Sequence, residues 1–405
     1  MTTFEPAGTP PSGSAAGPAD RWAESDAALV ERLRARILRD GPLRFDRFMA
    51  SALYDPQGGY YATDDRRSTR TGDYLSAPEL DPIFGATLAA QVEEVWSRLG
   101  QPETFTLRED AAGSGALGVA ILDRLVAAGS PLASVMRYLP VEVDAGREAG
   151  VRARVIAAGH EARLAEPGRQ GQPVTGVIIA NELLDALPVR RLTRRDGRLL
   201  ELHVDWHDDW FAEAALPPSD QVAGEALARE GIELVEGQVA EVGLAAATWV
   251  RDLGARLESG LALIIDYGHS AADLYDPAQR LGGLLRTYRG HHVGDDPYRS
   301  VGRQDLTAHV DWTAIELAAT DGGLTVIGRT SQAEALTGLG VGDRLVELGA
   351  RAETTPAAYA AARAAVVRLV DPRAMGGFGV LALGRGMALE APLACLAFRL
   401  PPRPR

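Results

Sequence analysis

Three polar side chains, Asn181, Glu182 and Asp185, follow directly on the apolar run Val177-Ile178-Ile179-Ala180. A buried strand does not continue in that way, because each of these groups needs a hydrogen-bonding partner once it leaves water. A strand that ends at the mouth of a pocket does. Amide and carboxylate groups placed there are free to meet a ligand. A second strand end, Asp266-Tyr267-Gly268-His269, offers similar chemistry. At a third place Gly113, Ser114 and Gly115 stand between a strand and a helix, where glycines let a backbone approach a ligand and a helix N-terminus presents free N–H groups. Glu142 ends the next strand, the position from which an acid takes both hydroxyls of a ribose. Each group alone has a plainer reading: Asp185 can cap a turn, and Glu142 can be a solvated strand end. Four strand ends that bring polar groups to one edge of a sheet make a pocket.

The elements that must position these groups alternate along the chain. "TFTLRED", "MRYLPVEVD", "TGVIIANE" and "GLALIIDYG" read as strands, with the helices "VAILDRLVAAG" and "REAGVRARVIAAG" between them. Runs such as Val177-Ile178-Ile179 and Leu261 to Ile265 suit strands covered on both faces. The expected fold is α/β, Rossmann-like and doubly wound, with a mostly parallel sheet whose sites lie at the carboxyl ends of its strands. Late strands are expected at "LTVIGR" and "GFGVLALG". Upstream, Leu29, Leu33, Ile37 and Leu38 make the apolar stripe of a helix stopped by Gly41-Pro42, and Phe84, Leu88, Val92, Val95 and Leu99 line another over residues 82–99. A hairpin turning at Asp196-Gly197 is inserted after Pro188, followed by one long helix over "QVAEVGLAAATWVRDLGARL". Residues 285–312 are polar and turn-rich, the character of a lid. The expected organisation is a disordered tail over 1–22, a helical segment over 23–100, a core over 101–270 with an insertion at about 188–235, a lid or substrate side over 271–350, and a C-terminal helix and final strands over 351–405.

Composition narrows the chemistry. The net charge of −13 argues against nucleic acid, which asks for a basic face. All 42 basic residues are arginines, so neither a lysine Schiff base nor a phosphate-loop lysine is available. The single cysteine, Cys395, rules out an intrachain disulfide, and the seven histidines show no metal-binding helix spacing, so no metal is expected. No apolar run approaches the roughly 18 residues that span a bilayer, so no membrane insertion is expected. The first residues lack the basic start and apolar stretch of a secretory signal, and the expected location is the cytoplasm.

Several segments match one family in order. "GPLRFDRFMASALYDPQGGYY", "GDYLSAPEL-PIFG", "ANELLDALPV", "LIIDYGH", "YRGHHV" and "DLTAHVDW" together resemble the MidA-type family of class I S-adenosylmethionine-dependent methyltransferases, from about residue 29 to 382. That family includes the mitochondrial assembly factor that methylates an arginine of a respiratory complex I subunit. The resemblance implies a seven-stranded sheet and S-adenosyl-L-methionine as cofactor. It implies cofactor binding by Glu109, Gly113, Gly115, Glu142 and Asn181, with Gly72, Asp73 and Pro78 beside it. Glu182 and Asp185, with Glu79 third, become the residues expected to hold the acceptor and take its proton. Asp266, Tyr267, His269, Tyr288, His291, Asp305 and His309 fall on the substrate side. The implied acceptor is an exposed arginine of a protein, possibly in a respiratory complex; a small-molecule hydroxyl or amine, or a non-catalytic assembly role, are the competing readings. One departure stands out. The family pattern has a glycine two residues after Glu109, where this chain has Ala111, and Asp110 replaces an apolar residue. If the backbone at 111 is left-handed, alanine costs roughly 1–2 kcal/mol there.

Overall fold

The computed structural model describes residues 18–62, 75–290 and 292–400. The central sheet is built from β1 (Phe105–Asp110), β2 (Met136–Val141), β3 (Val174–Asn181), β4 (Leu257–Asp266), β5 (Thr325–Ser331) and β6 (Gly379–Arg385). Their spatial order is β5-β6-β4-β3-β1-β2. The pairs β2/β1, β1/β3 and β3/β4 are parallel, whereas β6 runs antiparallel to both β4 and β5. Alternation along β3 explains why the sheet is buried twice over. Val177 and Ile179 join one apolar cluster, with the helix α1 (Ile83–Arg98) and the helix α2 (Ala116–Ala127). Ile178 joins the other, with the helix α3 (Leu244–Arg256) and the helix α4 (Trp312–Asp321).

Among the described residues the sheet has six strands where seven were expected. The position outside β2 is held by a single parallel bridge, Tyr138 to Leu164, with the Ala165 N–H donating to the Tyr138 carbonyl at 2.8 Å. Residue Pro140 lies two places further along β2, so its missing N–H falls on that same outer flank.

A second, antiparallel sheet carries the inserted segment. Arg190–Arg195, Arg198–His207, Trp210–Leu216 and Val239–Val242 form it together with Leu43–Arg44. Its hairpin turns at Asp196 (φ 51°) and Gly197 (φ 70°), both left-handed as a tight two-residue turn requires. The long helix expected over residues 238–257 is split. Val239–Val242 pairs with Arg190–Thr193, and the helix begins only at Leu244, after Gly243. Residues 285–312 are more regular than expected. Arg286–Arg289 pairs with both His292–Gly294 and Asp305–Thr307, and Val310–Asp311 pairs with Gly268–His269.

Near the N-terminus the helix Ala27–Asp40 is capped by Asp26, whose carboxylate accepts the Leu29 N–H at 3.0 Å. It buries Leu29, Val30, Leu33 and Ile37, while Leu38 is 61% exposed. The buried row runs through Val30 in place of Leu38. The helix Pro18–Glu24 begins inside the stretch expected as a tail, 1–22, and its Trp22 packs edge-on against Trp206 and Trp210.

Candidate active site

The order of the sheet reverses at β1, whose neighbours are β3 on one side and β2 on the other; ligands bind in the crevice outside such a point. After β1 the chain turns through Ala111 (φ 58°), Gly113 (φ 60°) and Gly115 (φ 80°) into α2. The condition set by the sequence at Ala111 is therefore met, and alanine carries the left-handed strain of roughly 1–2 kcal/mol. A side chain on Gly113 would point into open space, so this stretch presents bare backbone. The Gly113 N–H donates to Glu142 Oε1, and Arg147 Nε donates to Glu142 Oε2 at 3.0 Å. Above them lies a cavity of about 680 Å³, lined by Gly113, Glu142, Arg147, Tyr61, Leu183 and Trp249 among others. Beneath the loop Glu109 borders a small recess next to the glycine turn and accepts the Tyr138 hydroxyl at 2.6 Å. Burial pushes its carboxyl up to about 8 against the opposing pull of that bond, so it braces the loop from below.

Beyond Glu182 a smaller chamber of about 150 Å³ opens, lined by Glu182, Asp185, Tyr267, Tyr288, Asp305 and Thr307, with Tyr61 on its wall. Glu182 lines both spaces and is held in a left-handed backbone (φ 52°), its N–H bonded to the Ile265 carbonyl at 2.8 Å. Strain of this kind in a non-glycine residue persists only where the surroundings enforce it. Burial, and then the neighbouring charge of Asp185, push the Glu182 carboxyl up to about 7. Asp185 also lies above the usual carboxylate range through burial, although the Tyr267 hydroxyl donates to its Oδ2. Asp266 is fully buried under this turn. Its Oδ2 accepts the Leu184 N–H at 2.9 Å and the Asp185 N–H at 3.3 Å, and its Oδ1 accepts the Tyr267 N–H at 2.8 Å. It thus fixes the turn that presents Asp185 and does not face the chamber, contrary to the substrate-side expectation. Among the described residues, two buried acceptors around the chamber, Asp185 Oδ1 and Thr307 Oγ1, have no partner, nor does Asn181 Oδ1 nearby.

The remaining expected residues divide. Tyr288 lines the chamber, and Asp305 Oδ1 accepts the Tyr61 hydroxyl at 3.0 Å. His269 and His309 stack on each other with centroids 5.3 Å apart, behind Tyr267. Burial, then the nearby His269, holds His309 down to about 4, so it is neutral. Glu79 lines the small recess together with Glu182. It accepts the Ser114 hydroxyl and lies 3.6 Å from Arg154, beside Pro78 and Asn181 in this space of about 70 Å³ next to the glycine turn. Gly72, Asp73 and His291 lie outside the described residues. Sequence reasoning missed Tyr61, Arg147 and Thr307. Tyr61 ends the quoted segment "GGYY" and Thr307 stands in "DLTAHVDW", so both were in view without a stated role; Arg147 carries no motif signal.

A family model described as "Putative S-adenosyl-L-methionine-dependent methyltransferase" matches residues 87–330. The chain belongs to this family. It is 30% identical over 387 residues to the mitochondrial protein arginine methyltransferase NDUFAF7 homolog of Drosophila melanogaster, covering 86% of this chain and 83% of the relative. The mitochondrial NDUFAF7 protein arginine methyltransferase of Homo sapiens is 23% identical over 348 residues, covering 78% and 74%. A solved structure from Burkholderia thailandensis, bound to S-adenosyl-homocysteine, superposes with a TM-score of 0.84 at 33% identity, covering 95% of this chain and 97% of that one. The protein is thus an S-adenosyl-L-methionine-dependent methyltransferase with a methyltransferase-like α/β fold, and its main sheet is mixed and six-stranded. The expectation of a cytoplasmic protein is overturned by these relatives, whose names place them in mitochondria. No helix among the described residues is long and apolar enough to cross a membrane.

The residues present fit the family's cofactor. Glu142 offers carboxylate oxygens at the cavity wall, the glycine turn leaves backbone exposed there, and Asn181 Oδ1 is an unused acceptor beside the recess.

Proposed function

We propose that this methyltransferase acts on the guanidinium nitrogen of an arginine presented by a protein. The observation that carries this reading is the small chamber, where Glu182 and Asp185 stand together and Asp185 Oδ1 and Thr307 Oγ1 lack partners among the described residues. Unpaired buried acceptors are costly, so a site that keeps them calls for a ligand rich in donors. A guanidinium has five N–H donors in a plane and remains charged at neutral pH.

Glu142 would hold the ribose hydroxyls of S-adenosyl-L-methionine, the turn from Ala111 to Gly115 would take its chain, and Asn181, Glu79 and Pro78 would border its amino-acid end. Bound there, the cofactor supplies an activated methyl group. The protein's part is to orient an acceptor nitrogen towards it and to exclude water. Glu182, shared by both spaces, grips the guanidinium nearest the cofactor side. Asp185, oriented by the Tyr267 hydroxyl, holds the far nitrogen and receives the proton released on methylation. The high proton affinity of both carboxyls suits that last role, since a weaker acid is a stronger base.

The narrow chamber, about 150 Å³, also suits a small guanidino or amino compound. Incubation with methyl-labelled cofactor and a lysate, followed by acid hydrolysis of the labelled fraction, separates the two. Methylarginine in a protein band supports the proposal. Label confined to a dialysable product, or to another amino acid, removes it.

A further inference from the structure

The two spaces share a wall, and one side chain outside the sheet forms much of it. Tyr61 borders both the large cavity and the small chamber. On the chamber side its hydroxyl donates to Asp305 Oδ1 at 3.0 Å. On the cavity side its carbonyl accepts Arg147 Nη1 at 3.3 Å, and the Arg147 guanidinium stands 6.0 Å from the centre of its ring. Arg147 in turn donates to Glu142, the acid at the ribose position. Its own strand of chain is pinned from behind: Tyr61 N–H bonds the Leu53 carbonyl at 2.7 Å, and the Tyr54 ring stacks on it at 5.4 Å.

We propose that Tyr61 is a positioning residue that couples the two spaces, so that filling the cofactor cavity sets the shape of the acceptor chamber. The inference rests on the guanidinium reading of that chamber. Hydroxyls arriving at Glu142 compete with Arg147 for the same carboxylate oxygen. Any adjustment of Arg147 is felt at the Tyr61 carbonyl and ring face, and is passed by the hydroxyl to Asp305. A ligand changes the affinity of a second site only through such a differential contact. The consequence is a preferred order of binding: cofactor first, acceptor second.

The test measures binding of acetyl-arginine amide by NMR at millimolar concentration, with and without saturating S-adenosyl-homocysteine. In the unaltered protein the cofactor product tightens probe binding by about fivefold or more, and in Tyr61→Phe the factor falls towards one while product affinity stays within about threefold. Asp305→Asn keeps an oxygen for the hydroxyl and retains the coupling, whereas Asp305→Ala loses it; a merely structural contact would not separate these two. The proposal is overturned if Tyr61→Phe keeps the full factor, or if the unaltered protein shows none. A probe that binds in neither state sinks the guanidinium reading itself, and the coupling with it.

Discussion

The large cavity and the small chamber meet at Glu182 and Tyr61, yet their charge is balanced in opposite ways. In the cavity Glu142, the acid proposed for the ribose, already has a guanidinium and a backbone N–H on its oxygens. In the chamber Glu182 and Asp185 are both driven above the ordinary carboxylate range, and an oxygen of Asp185 has no partner among the described residues. The first space is complete and waits for shape. On the acceptor reading proposed above, the second takes a cation.

The sharpest way to break this contrast is Glu182→Gln. Methyl transfer should fall by about a thousandfold, while S-adenosyl-homocysteine affinity by calorimetry stays within a few-fold. A collapse of product affinity instead would move Glu182 to the cavity side. Glu142→Ala is the reciprocal change, and should weaken the same ligand by about 10–100-fold with little effect on saturated turnover. A large loss of kcat would mean that the two spaces do not divide the work in this way.

The pH profile sharpens the comparison further. A cation needs ionised partners, so acceptor kcat/KM should climb with pH and level off above about 7, where the Glu182 carboxyl titrates. A profile flat between pH 5 and 8 would remove Glu182 from acceptor binding. Stability runs the other way. Because the folded-state value is raised from 4.5, the stability this carboxyl contributes is fully present below 4.5 and lost as pH rises through about 7. Glu182→Gln should therefore gain about 2 °C in Tm at pH 8 relative to the unaltered protein, and less at pH 5. The smallest effect belongs to Ala111→Gly, which relieves the left-handed strain for about 1 kcal/mol of stability in denaturant titration. No gain there would show that the turn adjusts at no cost.

The sheet strands on either side of the site were legible because their apolar runs are continuous and their ends are abruptly polar, as at Ala180-Asn181 and Ile265-Asp266. The glycine turn and Glu142 were legible for the same local reason, and Gly113 and Glu142 do touch. What escaped was set by distant pairing. Val239–Val242 has a helical pattern that loses to hydrogen bonds with Arg190–Thr193. The strands within 285–312 are too short and polar to announce themselves and exist by pairing with one another. Glu79 was drawn to the Ser114 hydroxyl, and Tyr61 is brought to Asp305 from more than 200 positions away, which no spacing rule can anticipate. Asp266 resembles its half-buried neighbours Tyr267 and His269 in sequence, but its carboxylate is consumed by backbone N–H groups.

Pro140 on the outer flank of β2 has a consequence for the life of this protein in a crowded cell. An unfinished sheet border is a template on which foreign strands can grow, and an imino acid there removes one of the donors such growth would need. Beside the single bridge at Leu164, this border therefore offers one donor fewer to an added strand.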